Sequence, residues 1–456
     1  MTQTKPQVTA SSIGKWKPYS AYKDSGVEWL GEVPKHWEVK RLKYSAPAST
    51  TKLIEKPIDL PYLGLENVES KTGRLLLDEP TESVDSTVSV FERGNVLFGK
   101  LRPYLAKVAY VDFQGVCTTE LVVLQPSNIL DSKFLFYRLL SQDFIKLVDS
   151  MTYGTKMPRA SAEQIGNLVI QLPSLPEQRA IAAFLDREAA RINTLIAKKE
   201  RLIELLQEKR AALISHAVTK GLDTAVPMKH SGVEWLGEIP AHWEVKRLKF
   251  IATFFGGGTP SKDNLDYWSG DIPWVSPKDM KRDLIYDTED HITKTAIVNS
   301  STRLVQPEAV LIVVRSGILR HSIPVAINTR PVAINQDMKA LVLEPFFKPK
   351  YLASLIRGHQ NALLVEWRKE GATVESIENE LLVNTPCPTP HLMEQQAITD
   401  FIDHETAKID ALISRIREGI EKLREYSTAL ISAAVTGKID VRNEITLSDS
   451  DISYQL

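Results

Sequence analysis

Residues 94–101 read GNVLFGKL, the start of a glycine-rich loop whose backbone N–H groups and lysine could cradle the phosphates of a nucleotide. Leu101 stands where a Ser or Thr hydroxyl must hold magnesium, and Val96, Leu97 and Phe98 predict a strand where that chemistry needs a loop. Asp59, Glu69 and Lys71 have the residue types of a metal-dependent nuclease: two carboxylates for a divalent cation and a lysine for the developing charge. Their spacing is permissive, and they lie in a stretch, 44–92, with 9 acidic and 4 basic residues that reads more simply as a solvated surface. Gly256, Gly257 and Gly258 lack the strand–helix setting of a dinucleotide fingerprint and predict a turn. Cys117 and Cys387 are too few for a disulfide framework or a four-cysteine zinc site, and the nine histidines show no paired ligand spacing. No catalytic residue, metal ligand or bound cofactor is assigned to the chain, and a binding protein is expected.

The distribution of cations suggests what is bound. The 56 basic and 57 acidic residues among 456 give a net charge of -1, which excludes a wholly basic nucleic-acid binder and leaves only local patches. Residues 93–111 carry Arg93, Lys100, Arg102 and Lys107 without an acid, and residues 311–336 carry Arg315, Arg320 and Arg330 without one. A polar loop, GTKMPRAS from Gly154, adds Lys156 and Arg159. Such a surface could face DNA, with phosphate contacts fixing register and arginine forks reading guanine edges. The candidate DNA contacts are Lys100, Arg102, Lys107, Lys156, Arg159, Lys278, Lys281, Arg315 and Arg320.

These residues must be held by a duplicated frame. GVEWLGEVPKHWEVKRLK at 26–43 returns as GVEWLGEIPAHWEVKRLK at 232–249, identical at 16 of 18 positions. A diverged pair follows, starting at Gln178 and Gln395. The unit of duplication is a Trp-rich motif, a variable block and a long helix; the blocks, 44–172 and 250–388, share little obvious identity. A frame kept while its contents diverge suggests that the frame makes one contact twice, which marks Trp29, Trp37, Trp235 and Trp243 as partner-binding candidates.

Residues 177–217 have helical periodicity without Gly or Pro, a rod of ~60 Å. A seven-residue frame aligns Leu185, Ile192, Lys199, Leu206 and Leu213 on one seam, with Leu195 and Leu202 on the other. The counterpart aligns Ile402, Ile409, Ile416, Leu423 and Leu430, with Leu412 and Tyr426 on its second seam. Each stripe needs a partner, so the two helices are expected to pack together, antiparallel if a pseudo-two-fold axis relates the halves. Within the blocks, strands are expected at 95–98, 105–111, 121–124, 309–314, 324–327 and 339–343, and helices at 132–148 and 350–369. The polar N-terminus lacks the apolar stretch of a signal peptide, and the longest aliphatic run, 309–314, is far shorter than a membrane span, so a cytoplasmic protein is expected.

The doubled GVEWLGE-x-P-x-HWEVKRLK motif, PEQ-x-x-IA-x-FLD at 176–186, ALIS-x-AVT at 212–219 and WVSPKDM at 274–280 resemble the specificity (S) subunits of type I restriction-modification systems. The resemblance spans nearly the whole chain. It implies an α+β fold in which two mixed α/β target recognition domains are separated by two long antiparallel helices forming a coiled coil. Its expected divisions are an N-terminal tail, 1–25; a first recognition domain, 26–172; a helical spacer, 173–223; a second recognition domain, 224–388; a second spacer, 389–440; and a flexible tail, 441–456. The resemblance also implies a non-catalytic subunit that reads a split double-stranded DNA site and docks two methyltransferase subunits, with restriction subunits completing the nuclease. S-adenosylmethionine, ATP and magnesium would then belong to those partners. The second helix start departs from the pattern, with His391-Leu392-Met393 before Glu394, which leaves its first residue open. Two other readings stay open on the residues alone: a coiled-coil adaptor without DNA contact, and a nuclease built on Asp59, Glu69 and Lys71.

Overall fold

Two long helices organise the chain, Leu175–Lys220 and Leu392–Val435. The first carries Pro176 in its opening turn, where a missing N–H costs nothing. Each helix is followed by a glycine in the left-handed region, Gly221 at φ +72° and Gly437 at φ +74°, which ends it without a Cβ penalty. The computed structural model describes residues 16–54, 59–77, 87–369 and 374–445. They fall into two units: unit 1 holds the chain up to Lys199 together with the part from Arg417 onward, and unit 2 is Glu200–Ile416.

In unit 1 a four-stranded sheet orders Lys52–Leu53, Val88–Phe91, Gly115–Thr118 and Tyr62–Leu63, beside a three-stranded sheet ordering Leu121–Leu124, Val96–Gly99 and Val108–Tyr110. Unit 2 repeats the plan with a five-stranded sheet (Ala252–Gly256, Met338–Leu343, Val310–Val313, Val325–Asn328, Leu284–Ile285) and a four-stranded one (His291–Ile292, Ile272–Val275, Val332–Ile334, Leu304–Val305). The expected strands are present, except that 105–111 begins as a 3-10 turn, Pro103–Leu105, before the strand Val108–Tyr110. The phosphate-loop string is indeed strand: Val96–Gly99 is buried throughout. Gly256 ends a strand, and Gly257 passes so close to Ile334 and Asn335 that an added Cβ would meet a carbonyl oxygen at 2.0 Å. That triplet is a close backbone crossing as much as a turn.

Each expected block helix is two helices. Residues 132–148 give Ser132–Leu140 and Gln142–Ser150, broken where Ser141 is extended; residues 350–369 give Pro349–Gly358 and Gln360–Trp367, broken at His359. At the first break the Ser141 hydroxyl donates to the Arg138 carbonyl, one the helix can no longer use.

Within unit 1 the beginning of the first long helix and the end of the second share one core, where Ile181, Phe184 and Leu185 meet Leu430, Ala434 and Val435. Farther along, Lys199 comes against Gly419. Within unit 2 Arg210 lies 3.5 Å from Asp410, and Ile214 and Val218 share a core with Ile398 and Ile402. In both units one helix advances as the other retreats, so the packing is antiparallel. Of the first seam, Leu185, Ile192, Ile402, Ile409, Ile416 and Leu430 are buried, and Leu206, Leu213 and Leu423 half-buried. The second seam is a correction. Leu195, Leu202 and Leu412 are 38%, 44% and 45% exposed, whereas Ile413 and Ile420 are buried and Ile196 and Ile203 half-buried. The inward row lies four residues beyond the first seam, one position from the row expected.

The N-terminal tail expected over 1–25 is also corrected for its described part. Trp16 and Tyr19 are buried, Trp16 packs edge-on to Phe184 at 4.9 Å, and Tyr22–Asp24 pairs with Glu32–Pro34. At the other end Val441 is buried, the Asp440 N–H donates to the Lys17 carbonyl at 2.7 Å, and a 3-10 turn covers Arg442–Ile445. Residues 1–15 and 446–456 lie outside the described residues.

Candidate nucleic-acid interface and the clamps behind it

The repeated Trp motif folds inward. Its EVKR segment is a strand that pairs antiparallel with the strand leading into the long helix: Glu38–Arg41 with Val169–Leu172 in unit 1, Glu244–Arg247 with Pro386–Thr389 in unit 2. Each block is thereby closed where the chain enters and leaves it. The preceding His-Trp pair grips the first glutamate of the helix. Trp37 Nε1 donates to Glu177 Oε1 at 3.1 Å and His36 Nε2 lies 2.9 Å from Glu177 Oε2; Trp243 and His242 hold Glu394 in the same way at 3.0 Å each. The next residue, a glutamine, completes the lock. Gln178 accepts from the Asp131 N–H and donates to the Ile129 and Pro173 carbonyls; Gln395 accepts from the Lys348 N–H and donates to those of Phe346 and Pro390. Tyr19 adds a third donor to Glu177 in unit 1, and its own hydroxyl is pushed far above the ordinary tyrosine range by burial and by that carboxylate.

This corrects the partner-binding reading of the tryptophans at two positions. Trp37 and Trp243 have no exposed surface, and their indole N–H groups are already taken. Trp29 and Trp235 are half-buried and differ in what covers them. Trp29 lies under Arg138, 5.4 Å from the ring centre, a fully buried guanidinium held by Gln171, Ser141 and Asp143. Trp235 packs on His359 at 4.9 Å.

The candidate contact residues fall into two groups. Lys107 is turned inward: its ammonium donates to the carbonyls of Leu65 and Val68, the latter at 2.9 Å, and so anchors a loop. Lys278 is held by Asp290 at 2.9 Å and Glu289 at 3.1 Å, and Arg320 lies 3.5 Å from Glu375. Arg159 meets Glu120 at 2.9 Å, and Arg315 lies 4.0 Å from Asp337. The side chains of Lys100, Arg102, Lys156 and Lys281 have no acidic partner among the described residues. Of the nuclease candidates, the Glu69 carboxylate is engaged by Thr72 and Arg74, and Lys71 sits at φ 68° with its N–H on the Ala106 carbonyl.

The basic residues of unit 1 are gathered by one turn and one hairpin. Arg102 and Ala106, both non-glycine residues in the left-handed region, bracket the turn Pro103–Leu105, and the Arg102 N–H is tied to the Pro158 carbonyl at 2.7 Å. Backbone strain of this kind persists where surrounding structure enforces it and clusters at functional sites. Tyr153 and Arg159 exchange hydrogen bonds across the hairpin, which leaves Tyr104, Tyr153 and Met157 exposed beside Arg102 and Lys156. Unit 2 has a turn and a bridge in the corresponding places, Gly317–Arg320 and the pair Arg368 and Ile377, but Ser316 and His321, which bracket its turn, lie outside the left-handed region. The exposed aromatic residues gave no periodic signal in the sequence; their placement depends on the turn.

A duplicated frame that carries two unlike basic heads is the architecture of a two-site recognition protein. The chain belongs to the type I restriction-modification DNA specificity family: the family's domain matches twice, at residues 34–205 and 240–422. It is 37% identical over 201 residues to the type I restriction enzyme EcoR124I/EcoR124II specificity subunit of Escherichia coli, a match covering 44% of this chain and 46% of that protein. Over 437 residues it is 25% identical to the MjaVIII specificity subunit of Methanocaldococcus jannaschii, covering 90% of this chain and 95% of the relative. The chain thus aligns with about half the length of the first relative and nearly all of the second. Among solved structures, a chain described under the structural basis of complex assembly and conformational transition of the type I R-M system shares the fold, with TM-score 0.67, 20% identity, and coverage of 89% of this chain and 99% of that one. The HsdS subunit from Thermoanaerobacter tengcongensis matches at TM-score 0.51 and 19% identity, covering 89% and 98%.

Proposed function

We propose that the chain is the DNA sequence-specificity subunit of a type I restriction-modification complex, and that unit 1 and unit 2 each read one half of a bipartite, asymmetric double-stranded site. The observation that carries this reading is that two units with the same clamp present heads of the same backbone design and different side chains. Arg102, Lys156 and Lys281, free of carboxylates among the described residues, suit phosphate contacts, which fix position without reading sequence. Two methyltransferase subunits dock on the repeated frame, and restriction subunits join them. Catalysis and the use of S-adenosylmethionine, ATP and magnesium rest with those partners. A subunit with this task works beside DNA in the cytoplasm. Among the described residues no helix is long and apolar enough to cross a membrane.

The test is to reconstitute the chain with its methyltransferase subunits and map methylated adenines by single-molecule sequencing. Exchanging residues 44–172 for the block of a related protein should change one half-site and leave the other unchanged. Change in both half-sites, or methylation without a bipartite site, would overturn the two-reader assignment.

A further inference from the structure

The two heads contain an arginine that has changed strands while keeping its place. Strands Val96–Gly99 and Val310–Val313 are each flanked by two antiparallel neighbours, and each is preceded by a residue of positive φ, Gly94 and Glu308. Just beyond them the Lys100 N–H donates to the Glu120 carbonyl at 3.0 Å, and the Val314 N–H to the Asp337 carbonyl at 2.8 Å. The following residue makes an isolated antiparallel bridge to the hairpin: Leu101 with Arg159 in unit 1, Arg315 with Ser376 in unit 2. Position 101 therefore corresponds to 315, 159 to 376 and 120 to 337. In each unit one member of the bridge is an arginine, on the hairpin in unit 1 and on the strand extension in unit 2. In each unit the carboxylate of the turn residue just before the adjoining strand faces it, Glu120 Oε1 at 2.9 Å from Arg159 Nη2 and Asp337 Oδ1 at 4.0 Å from Arg315 Nε.

We propose that Arg159 and Arg315 are the corresponding guanine-reading arginines of the two units, with Glu120 and Asp337 as positioning residues. This rests on the reading of the units as DNA readers. Both arginines are available, Arg159 41% and Arg315 60% exposed, while both acids are more covered. Glu120 takes one N–H of Arg159 Nη2, and Asp337 lies beside Arg315 Nε without reaching hydrogen-bond distance. A guanidinium carries five N–H groups, so Nη1 and the second N–H of Nη2 still form, in each arginine, the fork that matches guanine O6 and N7. At Arg159 the bound carboxylate also disfavours a phosphate in the same place, because the approaching anion meets a like charge; at Arg315 the 4.0 Å separation and greater exposure make that effect weaker. Directional hydrogen bonding is the capacity that remains, and it distinguishes this pair from the uncompensated Arg102, Lys156 and Lys281.

The experiment uses the complex of this chain with its methyltransferase subunits, compares wild type with Arg159→Ala, Arg159→Lys, Arg315→Ala, Glu120→Gln and Glu120→Asp, and reads methylated sequences genome-wide together with the salt dependence of binding. Arg159→Ala should lose roughly 10- to 100-fold discrimination at one G·C position of one half-site, and Arg315→Ala the same in the other half-site only. Lysine at 159 should not restore the letter, since it lacks the fork. Glu120→Gln should weaken discrimination at the position lost in Arg159→Ala, and Glu120→Asp should recover part of it; a merely structural role for Glu120 would alter thermal stability without selecting that position. Unchanged letters with uniformly weaker binding and a shallower salt slope would mark phosphate contacts and overturn the proposal, as would a half-site whose sensitive position is not G·C. If the wild-type complex shows no bipartite site, the two-reader reading itself fails; if wild type is bipartite and the arginine variants keep its letters, only this inference does.

Discussion

The clamps and the heads of the two units differ in what repetition has kept. Trp37, His36, Glu177 and Gln178 recur atom for atom as Trp243, His242, Glu394 and Gln395, with donor–acceptor distances that agree within about 0.1 Å. The heads keep backbone hydrogen bonds and lose side-chain identity: Leu101 opposes Arg159 where Arg315 opposes Ser376. At the clamps the retained residues have their partners inside the unit, and at the bridges the outward-facing residue has changed. The motif also keeps exposed residues, Glu28, Glu32, Arg41 and Lys43, as Glu234, Glu238, Arg247 and Lys249. The frame therefore needs no external partner to explain its repetition at Trp37 and Trp243, although the half-buried Trp29 and Trp235 and the exposed Leu195, Leu202 and Leu412 leave surface for one.

Breaking the clamps should produce the largest effects. Trp37→Ala empties a fully buried site and leaves Glu177 with fewer donors, at a cost of roughly 3–5 kcal/mol. Trp243→Ala should cost about the same in unit 2, and denaturant unfolding that found one substitution severe and the other mild would break the correspondence between the clamps.

The next effect separates the units. Burial pushes the His359 imidazole from 6.5 down to about 4, and its Nε2 lies 2.7 Å from the Thr219 hydroxyl. The folded unit keeps it neutral where the unfolded chain takes up a proton, so unit 2 should lose stability as pH falls from about 6.5 to about 4, by at most roughly 3 kcal/mol, and the loss should level off below that. His359→Gln, which installs the residue found 217 positions earlier in unit 1, Gln142, should flatten that part of the profile. Urea unfolding of both proteins between pH 4 and 7 measures the difference, and parallel profiles would remove His359 as its cause.

The smallest effect tests the helix seam. Leu195→Gln or Leu412→Gln should change stability by no more than about 0.5 kcal/mol, while Ile413→Ala, one residue along, should cost roughly 2–4 kcal/mol. Equal losses at Leu412 and Ile413 would restore the seam first read from the heptads.

That seam shows where sequence reasoning stops. The duplication, both long helices, their antiparallel packing and most block strands were legible, because each rests on identity or periodicity along the chain. The second seam was not, since Leu195 stands beside Ile196, Leu202 beside Ile203 and Leu412 beside Ile413, and an apolar residue at both offsets satisfies either frame. Lys107 counted as a cation, but its acceptors are the carbonyls of Leu65 and Val68, and backbone oxygens leave no mark in composition. The tryptophans looked outward-facing because the glutamates that hold them lie 140 and 151 residues away. A signal was available: Glu and Gln recur together at both helix starts even where the proline before them does not. The arginine that changes strands was invisible, because no alignment of the diverged blocks places 101 against 315 until hydrogen bonds do.

The frame also sets an order of assembly on the ribosome. Unit 2 is one continuous stretch, complete once Ile416 has emerged, whereas the core of unit 1 takes Leu430, Ala434, Val435 and Val441 from the far end of the chain. Its closing hydrogen bonds, Tyr22 to the Gly437 carbonyl and Asp440 to Lys17, join residues more than 400 positions apart. At ~5–20 residues per second, the nascent unit 1 holds Ile181, Phe184 and Leu185 without their partners Leu430, Ala434 and Val435 for tens of seconds while unit 2 is made. The half synthesised first is thus the half finished last, and the stretch most in need of a chaperone's cover is the beginning of the first long helix.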